Sequence, residues 1–310
     1  MKGILFGGCS FTWGQGLYYY SDLPNLEKPE PFKYDPRKVL GSHRRFMETK
    51  RFPRLVADYF GTFEVVKKEN GGSEDESFRF FDRIFSHPGS EQYGYITDES
   101  FKYEDFDYLI LQVSQPGRNN IRFNYEGKDW DVQLMQTNQK DVKKAFFCWL
   151  IDNEKTYEMW HAEFIGDLFY KMKEKLKFYE SKGIKTKILF WHDEYMGHVN
   201  KDEFMRERYI SFNYRNEHFS TIHQMMEKYP YLTISNDSMN FAGDPPKDDH
   251  PSIKCHEIIA EAIINSIGYD LKSKPKNITP DDHLPIPGIE SINNNATTIS
   301  QEQPKKRSII

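Results

Sequence analysis

Two loops of the sequence together carry the side chains needed for nucleophilic catalysis by serine. The loop GGCSFTWGQG places Ser10 just after a short apolar run, among small residues that let a substrate approach the backbone closely. A serine hydroxyl becomes a nucleophile when a histidine takes its proton, and an aspartate orients that histidine. The loop KDDHPS supplies both partners, because His250 directly follows Asp248 and Asp249. We therefore predict that these residues act together.

Two further loops offer hydrogen-bond donors for the negative charge that develops when a serine attacks a carbonyl group. In ENGGSEDES, Gly71 and Gly72 can turn a backbone N–H outward toward an oxyanion, although a glycine pair can also simply form a turn. In QVSQPGRNN, a side-chain donor could come from one of four polar residues, Ser114, Gln115, Asn119 or Asn120. These loops are the predicted source of an oxyanion-binding site.

Strand-like and helical segments alternate along the chain and determine where these loops lie. The strand-like runs are KGILF, FEVVKKEN, DYLILQVS, KTKILFWHDE and YLTIS. Helical spacing covers residues 51–61, 77–86, 141–182, 202–228 and 251–268. This alternation predicts an α/β sandwich with a mainly parallel sheet. Functional loops cluster at the carboxyl ends of such strands, so we expect the four loops to meet at one edge.

Composition predicts one domain followed by a tail. Residues 1–271 are expected to form a single domain, interrupted at about 18–50 by a surface insertion with a tyrosine cluster, prolines and mixed charges but no periodicity. The aromatic and basic side chains of this insertion are expected to form a wall of the substrate pocket. Residues 272–310 lack aromatic side chains and are rich in Pro, Asn, Ser and Thr, which predicts a flexible tail.

Charge and hydropathy exclude several functional classes. Lys and Arg number 42 against 47 Asp and Glu, and this net charge of −5 gives no general attraction to the phosphates of nucleic acid. No apolar run approaches the roughly 20 residues of a membrane span. The start MKGILFGGCSF is too short and too soon polar for a signal peptide, which predicts a cytoplasmic protein where it is synthesised. The three cysteines have neither metal-ligand spacing nor a disulfide pattern.

The loops around Ser10 and His250 resemble those of the SGNH, or GDSL-like, hydrolase family, over roughly residues 1–270. In that family a nucleophilic serine follows the first strand in a G-D-S or G-C-S context, and HPSIKCHEIIAEAI is similar to the family's continuation from its catalytic histidine. The resemblance implies a three-layer α/β/α sandwich with a flavodoxin-like sheet, a Ser-His-Asp mechanism on carboxylic esters, and no cofactor. It also implies an oxyanion-binding glycine N–H, for which Gly72 aligns best and Gly71 is the close alternative.

The sequence departs from the family pattern in the block that supplies a side-chain oxyanion donor. The family has an asparagine in G-x-N-D after a strand, whereas this chain reads VSQPGRN. Ser114 and Gln115 are the expected substitutes, and Asn119 is possible if the loop is shifted.

A second departure concerns the acid that orients the histidine. The family reads D-x-x-H, but Lys247 stands three residues before His250. The acid is therefore Asp248 or Asp249, of which we favour Asp248.

Two functions remain open at this point. The first is a serine hydrolase that cleaves or transfers an ester-linked acyl group, with an O-acetyl group on a carbohydrate as the leading substrate and a small-molecule or glycan ester as partner. The second is a catalytically degenerate protein of the same fold that binds glycans or belongs to a virion or surface assembly. The two departures from the family pattern favour this second function.

Other reactive residue types have simpler interpretations. Cys9 could be a nucleophile, but its side chain should alternate away from Ser10 into the core. A metal or a substrate hydroxyl could bind the triplet His192, Asp193 and Glu194, but no ligand partner stands at a diagnostic distance. His256, inside the last helical segment, is expected to be structural. The DDH run at 281–283 lies in the expected tail and is taken as chance.

Overall fold

The computed structural model describes residues 1–20, 41–67, 72–86, 101–133, 139–238, 240–241 and 246–270, with only the backbone at 41–45 and 269–270. The chain divides into two units, Met1–Ser266 and Ile267–Ile310, and the second is described only at the end of the last helix. The predicted tail at 272–310 and the middle of the predicted insertion therefore lie outside the described residues.

Four parallel strands form the central sheet, in the order β2-β1-β3-β6, and two antiparallel hairpins, β4-β5 and β7-β8, lie outside it. The strands are β1 (Gly3–Gly7), β2 (Glu64–Val66), β3 (Phe106–Val113), β4 (Ile121–Tyr125), β5 (Lys128–Val132), β6 (Lys185–Phe190), β7 (Phe212–Tyr214) and β8 (Glu217–Phe219). The prediction of an α/β fold with a mainly parallel sheet is confirmed.

Helices follow most strands of the central sheet. They are α1 (Ser10–Trp13), α2 (Gly41–Lys50), α3 (Phe52–Phe60), α4 (Glu74–Ser86), α5 (Lys140–Asp152), α6 (Tyr157–Ser181), α7 (Met196–Val199), α8 (Glu203–Arg208), α9 (Ile222–Lys228) and α10 (Ile253–Asp270). Short 3-10 turns occupy Leu17–Tyr20, Tyr103–Asp105, Pro116–Arg118, Pro230–Leu232 and Ile234–Asn236.

Both faces of the central sheet are covered because its strands are apolar on both sides. On one face Leu5, Leu109 and Ile188 belong to a buried cluster that includes side chains of α4 and α6. On the other face the Phe6 ring meets the ring of Phe52 in α3 at 6.0 Å. Burial of each such side chain stabilises the fold by about 2 kcal/mol.

The order of the strands places a crevice between β1 and β3. The chain leaves β1 toward β2 through α3 on one face of the sheet, whereas it leaves β3 toward β6 through α6 on the other face. Neighbouring connections that diverge in this way open a gap at the carboxyl ends of the two central strands, where ligands of open α/β sheets bind. The loops after β1 and β3 border this gap.

Two expectations from the sequence were wrong in detail. The segment YLTIS forms two 3-10 turns around a single bridge between Thr233 and Pro251, because Pro230 starts a turn. The helical segment 202–228 is two short helices, α8 and α9, separated by the β7-β8 hairpin. Arg215 and Asn216 form the tight turn of that hairpin with positive φ angles of 51° and 63°.

The predicted surface insertion at 18–50 is partly internal in its described residues. Tyr18, Tyr19 and Met47 are buried, because the segment after α1 folds back into the core. Tyr20 donates a hydrogen bond from its hydroxyl to Asp237 Oδ2 at 2.7 Å. The expectation that this insertion forms a pocket wall concerns mainly 21–40, outside the described residues.

Candidate active site

The loops after β1 and before α10 bring a serine, a histidine and an aspartate into one chain of contacts. Ser10 Oγ lies 2.9 Å from Nε2 of His250, although 240 positions separate the two residues. His250 Nδ1 contacts Asp248 Oδ1, which also accepts the His250 backbone N–H at 3.0 Å. With the hydrogen on Nδ1, Nε2 is free to accept the serine proton, which is the arrangement of a nucleophile, a base and an orienting acid.

Asp248 is fixed by its surroundings as well as by the imidazole. It is 4% exposed, and its backbone carbonyl accepts the N–H of Ser235 at 2.9 Å. Gly16 adopts a φ of +87° beside it, and a Cβ built on this glycine would lie 3.0 Å from Asp248 Oδ2 and 2.4 Å from Ile234 Cδ1. Only glycine fits both the conformation and the space, so Gly16 allows the acid to reach His250.

Asp249, the other aspartate considered from the sequence, turns away from the imidazole. Its Oδ1 accepts a hydrogen bond from the Ser235 hydroxyl at 2.9 Å on the exposed side of the loop. Of the two aspartates, Asp248 alone contacts the His250 ring within the described residues.

Aromatic rings surround the serine and the histidine. Phe11 stacks on Trp191, with ring centroids 3.8 Å apart, and meets the His250 ring edge-on at 5.0 Å. Trp191 follows β6, and its N–H donates to the Val113 carbonyl at 2.9 Å at the end of β3. This packing limits the movement of the imidazole and provides an apolar surface beside it.

A buried carboxylate joins the loop after β3 to the start of α4. Glu74 accepts the Ser114 N–H at 2.7 Å and the Asn119 side-chain amide at 2.6 Å. The Ser114 hydroxyl, which has one hydrogen, faces the Gly72 carbonyl at 2.9 Å and Glu74 Oε1 at 3.2 Å. The sequence offered Ser114 and Asn119 as oxyanion donors. In the structure their donor groups already contact Glu74 and the Gly72 carbonyl. Gly71 lies outside the described residues.

The Glu74 carboxyl should make stability depend on pH. Burial raises its pKa from 4.5 to about 7, opposed by the hydrogen bonds from Asn119 and Ser114. Between these two pH values the folded chain holds a proton that the unfolded chain has lost, so stability falls as pH rises. We expect wild type to lose roughly 3 kcal/mol of unfolding free energy across this window relative to Glu74→Gln. Urea unfolding at a series of pH values measures this difference.

The exposed Glu104 provides the control for this measurement. Glu104→Gln should leave the pH profile of the wild type unchanged. Parallel profiles for wild type and Glu74→Gln would contradict the expectation.

Gln115 and Asn120 have different surroundings. The Gln115 amide nitrogen contacts Nε2 of His192, whose ring lies 4.3 Å from that of His223. Burial, followed by the charge of His223, lowers the pKa of His192 to about 4, so its ring is neutral near neutral pH. Because an amide nitrogen only donates, Nε2 accepts this hydrogen bond in the tautomer that has its hydrogen on Nδ1. The amide nitrogen of Gln115 keeps a second hydrogen. Asn120 is exposed and donates to Asp131 at 2.6 Å.

The remaining reactive side chains have structural partners. The buried Cys9 thiol donates to Gln112 Oε1 at 3.1 Å. His256 Nδ1 accepts the Phe52 N–H at 3.2 Å, and burial lowers the pKa of this histidine to about 3. In the described ranges no three His, Cys, Asp or Glu side chains form a group that could hold a metal ion, including the triplet at His192. The DDH run at 281–283 lies outside these ranges.

Three residues of the site were not singled out from the sequence. Glu74 is the first of three acidic residues in the first turn of α4, a pattern typical of exposed helix starts, and only its long-range contacts reveal its burial. Gly16 follows Gly14 in a glycine-rich loop, which is a general signal for close backbone approach. Arg118 is a charged residue in a loop at the carboxyl end of a strand.

Comparison of the chain with protein-family models, with curated proteins and with solved structures finds no match. The chemistry of the site must therefore be inferred from its own geometry. None of the helices in the described parts of the chain combines the length and apolar character needed to cross a bilayer.

Proposed function

We propose that this protein is a serine hydrolase that cleaves or transfers an ester-linked acyl group. The observation that carries the proposal is the contact series from Ser10 Oγ through both ring nitrogens of His250 to Asp248 Oδ1. The position of this series supports it too, because Ser10 directly follows β1 at the crevice between β1 and β3.

Each residue has a defined role in the proposed reaction. Ser10 Oγ attacks the ester carbonyl carbon while its proton passes to His250 Nε2. The imidazolium then gives this proton to the leaving alcohol oxygen as the carbon–oxygen bond of the ester breaks. Water or an acceptor alcohol then attacks the acyl-serine carbonyl carbon while its proton passes to His250 Nε2. The imidazolium returns this proton to Ser10 Oγ as the bond between the acyl group and Oγ breaks. Asp248 holds the required tautomer and stabilises the imidazolium.

Backbone N–H groups of Ser10 and Gly72 are the proposed donors to the tetrahedral oxyanion. Ser10 begins α1, so its N–H has no acceptor within that helix. The Ser114 hydroxyl lies 2.9 Å from the Gly72 carbonyl and so helps to hold this residue next to the loop after β3. The second amide hydrogen of Gln115 is the proposed side-chain donor. Loss of one such donor reduces kcat on the order of a hundredfold or more.

The wider proposal is that the chain is a divergent SGNH hydrolase with a flavodoxin-like sheet. The sheet order β2-β1-β3-β6, the serine after β1 and the histidine before the last helix support it. The half-buried ring of Phe11, stacked on the buried ring of Trp191, offers an apolar surface of the kind that packs against sugars, so an acetylated glycan is the first substrate to test. The reaction requires no cofactor.

A specific observation also favours the second candidate, a glycan-binding or structural protein without turnover. Ser114 and Asn119 are both engaged by Glu74, so a side-chain oxyanion donor depends on Gln115. A degenerate site would keep the fold and the crevice while lacking reactivity at Ser10.

Labelling with a fluorophosphonate separates these two functions. We expect the wild type to form a stoichiometric covalent adduct at Ser10, because the reagent reacts with a serine activated by a neighbouring base. Mass spectrometry of the intact protein and of its peptides measures the adduct. Cys9→Ala should label fully, because the buried thiol faces Gln112, whereas Ser10→Ala should not label. An unlabelled, folded wild type would refute the hydrolase and leave the binding protein.

A further inference from the structure

The guanidinium of Arg118 lies beside the ring of Phe11, the residue that follows the proposed nucleophile. Arg118 ends the 3-10 turn after β3, and its Cζ lies 6.0 Å from the centre of the Phe11 ring. Phe11 is the residue after Ser10 and meets the His250 ring. Among the described residues no carboxylate pairs with Arg118, and its Nη1 is buried without a hydrogen-bond partner.

The other arginines that are shielded from water in the described chain pair with a carboxylate. Arg51 pairs with Glu64 at 3.3 Å, although its Nε and Nη1 have no hydrogen-bond partner, and Arg208 pairs with Glu180 at 2.6 Å. A guanidinium nitrogen that loses water without gaining an acceptor costs free energy. Arg118 as a whole is only half-buried, so an anion that meets the accessible part of its guanidinium would supply the negative charge that no described carboxylate provides.

The electrostatic surroundings of Ser10 agree with an anionic ligand. The pKa of Cys9, the residue before Ser10, is raised by burial, and the positive charge of Arg118 opposes this rise more strongly than that of Lys67. Lys67 is itself paired with Glu76 at 3.3 Å, so of these two cations only Arg118 lacks a carboxylate partner among the described residues. The same charge also helps to lower the pKa of His192, whose Nε2 contacts Gln115 in the same loop.

We propose that Arg118 binds a carboxylate or phosphate group carried by the substrate, so that the site acts on acyl esters of anionic molecules. This inference deepens the proposed hydrolase function. It rests on that function in one respect, because the anionic ligand is an ester substrate only if Ser10 attacks esters. A guanidinium presents paired hydrogen-bond donors that match the oxygens of either group. It therefore binds a carboxylate or a phosphate in preference to a neutral hydroxyl. Arg118 is thereby a specificity-determining residue, separate from the donors to the reacting carbonyl oxygen.

Matched aryl acetates test the proposal through a ratio of rates. The anionic probes are 4-acetoxybenzoate and 4-acetoxyphenyl phosphate, and the neutral reference is methyl 4-acetoxybenzoate; the 3-acetoxy isomers change the distance between ester and charge. For wild type we expect kcat/KM to be about 10- to 100-fold higher for the preferred anionic probe than for its neutral counterpart. Comparison of carboxylate with phosphate identifies the preferred anion.

Three variants assign this preference to one side chain. Arg118→Gln should bring the ratio close to one, and Arg118→Lys should keep part of it. Arg122→Gln is the matched control, because Arg122 lies in the neighbouring hairpin, is 76% exposed and is paired with Asp131. It should keep the wild-type ratio. A wild-type ratio near one for all probes, or an equal loss for anionic and neutral esters in Arg118→Gln, would overturn the proposal.

Binding to a Ser10→Ala background separates this inference from the hydrolase function. Calorimetry should show the preferred anionic ester binding at least tenfold more tightly than the neutral one, with no difference after Arg118→Gln is added. If no ester is hydrolysed while this binding preference holds, the hydrolase proposal fails and the anion site stands. Equal binding of charged and neutral probes removes the anion site whatever the hydrolytic rate.

Discussion

Ser10→Ala and His250→Ala are each expected to lower kcat for an activated acetate ester by about 10⁴- to 10⁶-fold, and the double variant should lose no more than either single variant. The reason is that Ser10 Oγ and His250 Nε2, 2.9 Å apart, carry out one proton transfer together. Removal of either residue abolishes that step, so nothing remains for the second substitution to remove.

Release of p-nitrophenol from its acetate, corrected for spontaneous hydrolysis, measures this effect. Ser86→Ala and His218→Ala are matched controls, because both residues are exposed and lie outside the site. Both should retain the wild-type rate. Additive losses in the double variant would mean that the two residues act independently, contrary to the proposed mechanism.

Asp248→Asn is expected to lower kcat by about 10³- to 10⁴-fold, whereas Asp249→Asn should stay within about twofold of wild type. An asparagine at 248 can donate to Nδ1 and so favour the imidazole tautomer with its hydrogen on Nε2, which cannot accept the serine proton. Asp249 contacts Ser235 instead of the ring, so its charge has no comparable role.

The same chromogenic assay compares the two asparagine variants, with thermal unfolding to verify that each is folded. Each variant replaces one carboxylate with an amide, and the two positions are adjacent in the chain. Each variant is therefore the control for the other. A larger loss for Asp249→Asn than for Asp248→Asn would reverse the proposed assignment of the acid.

Much of the fold and part of the candidate site could be predicted because they depend on local patterns. Short apolar runs alternating with helical spacing indicated the parallel sheet, and loops after parallel strands share one edge. That rule indicated that the loop of Ser10 could meet the loop of His250. It could not distinguish Asp248 from Asp249, because their directions depend on Gly16 and on the turn at 234–236.

The remaining features depend on contacts between distant parts of the chain. Glu74 looks like a solvent-exposed helix residue until the loop after β3 closes over it and draws in Ser114 and Asn119. The β7-β8 hairpin was read as helix because Arg and Asn in its turn are weaker turn signals than Asn-Gly. Tertiary packing selects the conformation in both places.

The short segment from Ser10 to Gly16 touches both ends of the contact series, since it carries the proposed nucleophile at one end and leaves room for Asp248 at the other. Backbone hydrogen bonds from Gly14 and Gln15 to the Ser10 carbonyl close this segment into a single compact loop. A rigid displacement of this loop would therefore change the distance between Ser10 Oγ and His250 Nε2 and the space around Asp248 at the same time. Inserting even one residue between Ser10 and Gly16 would disturb both contacts at once.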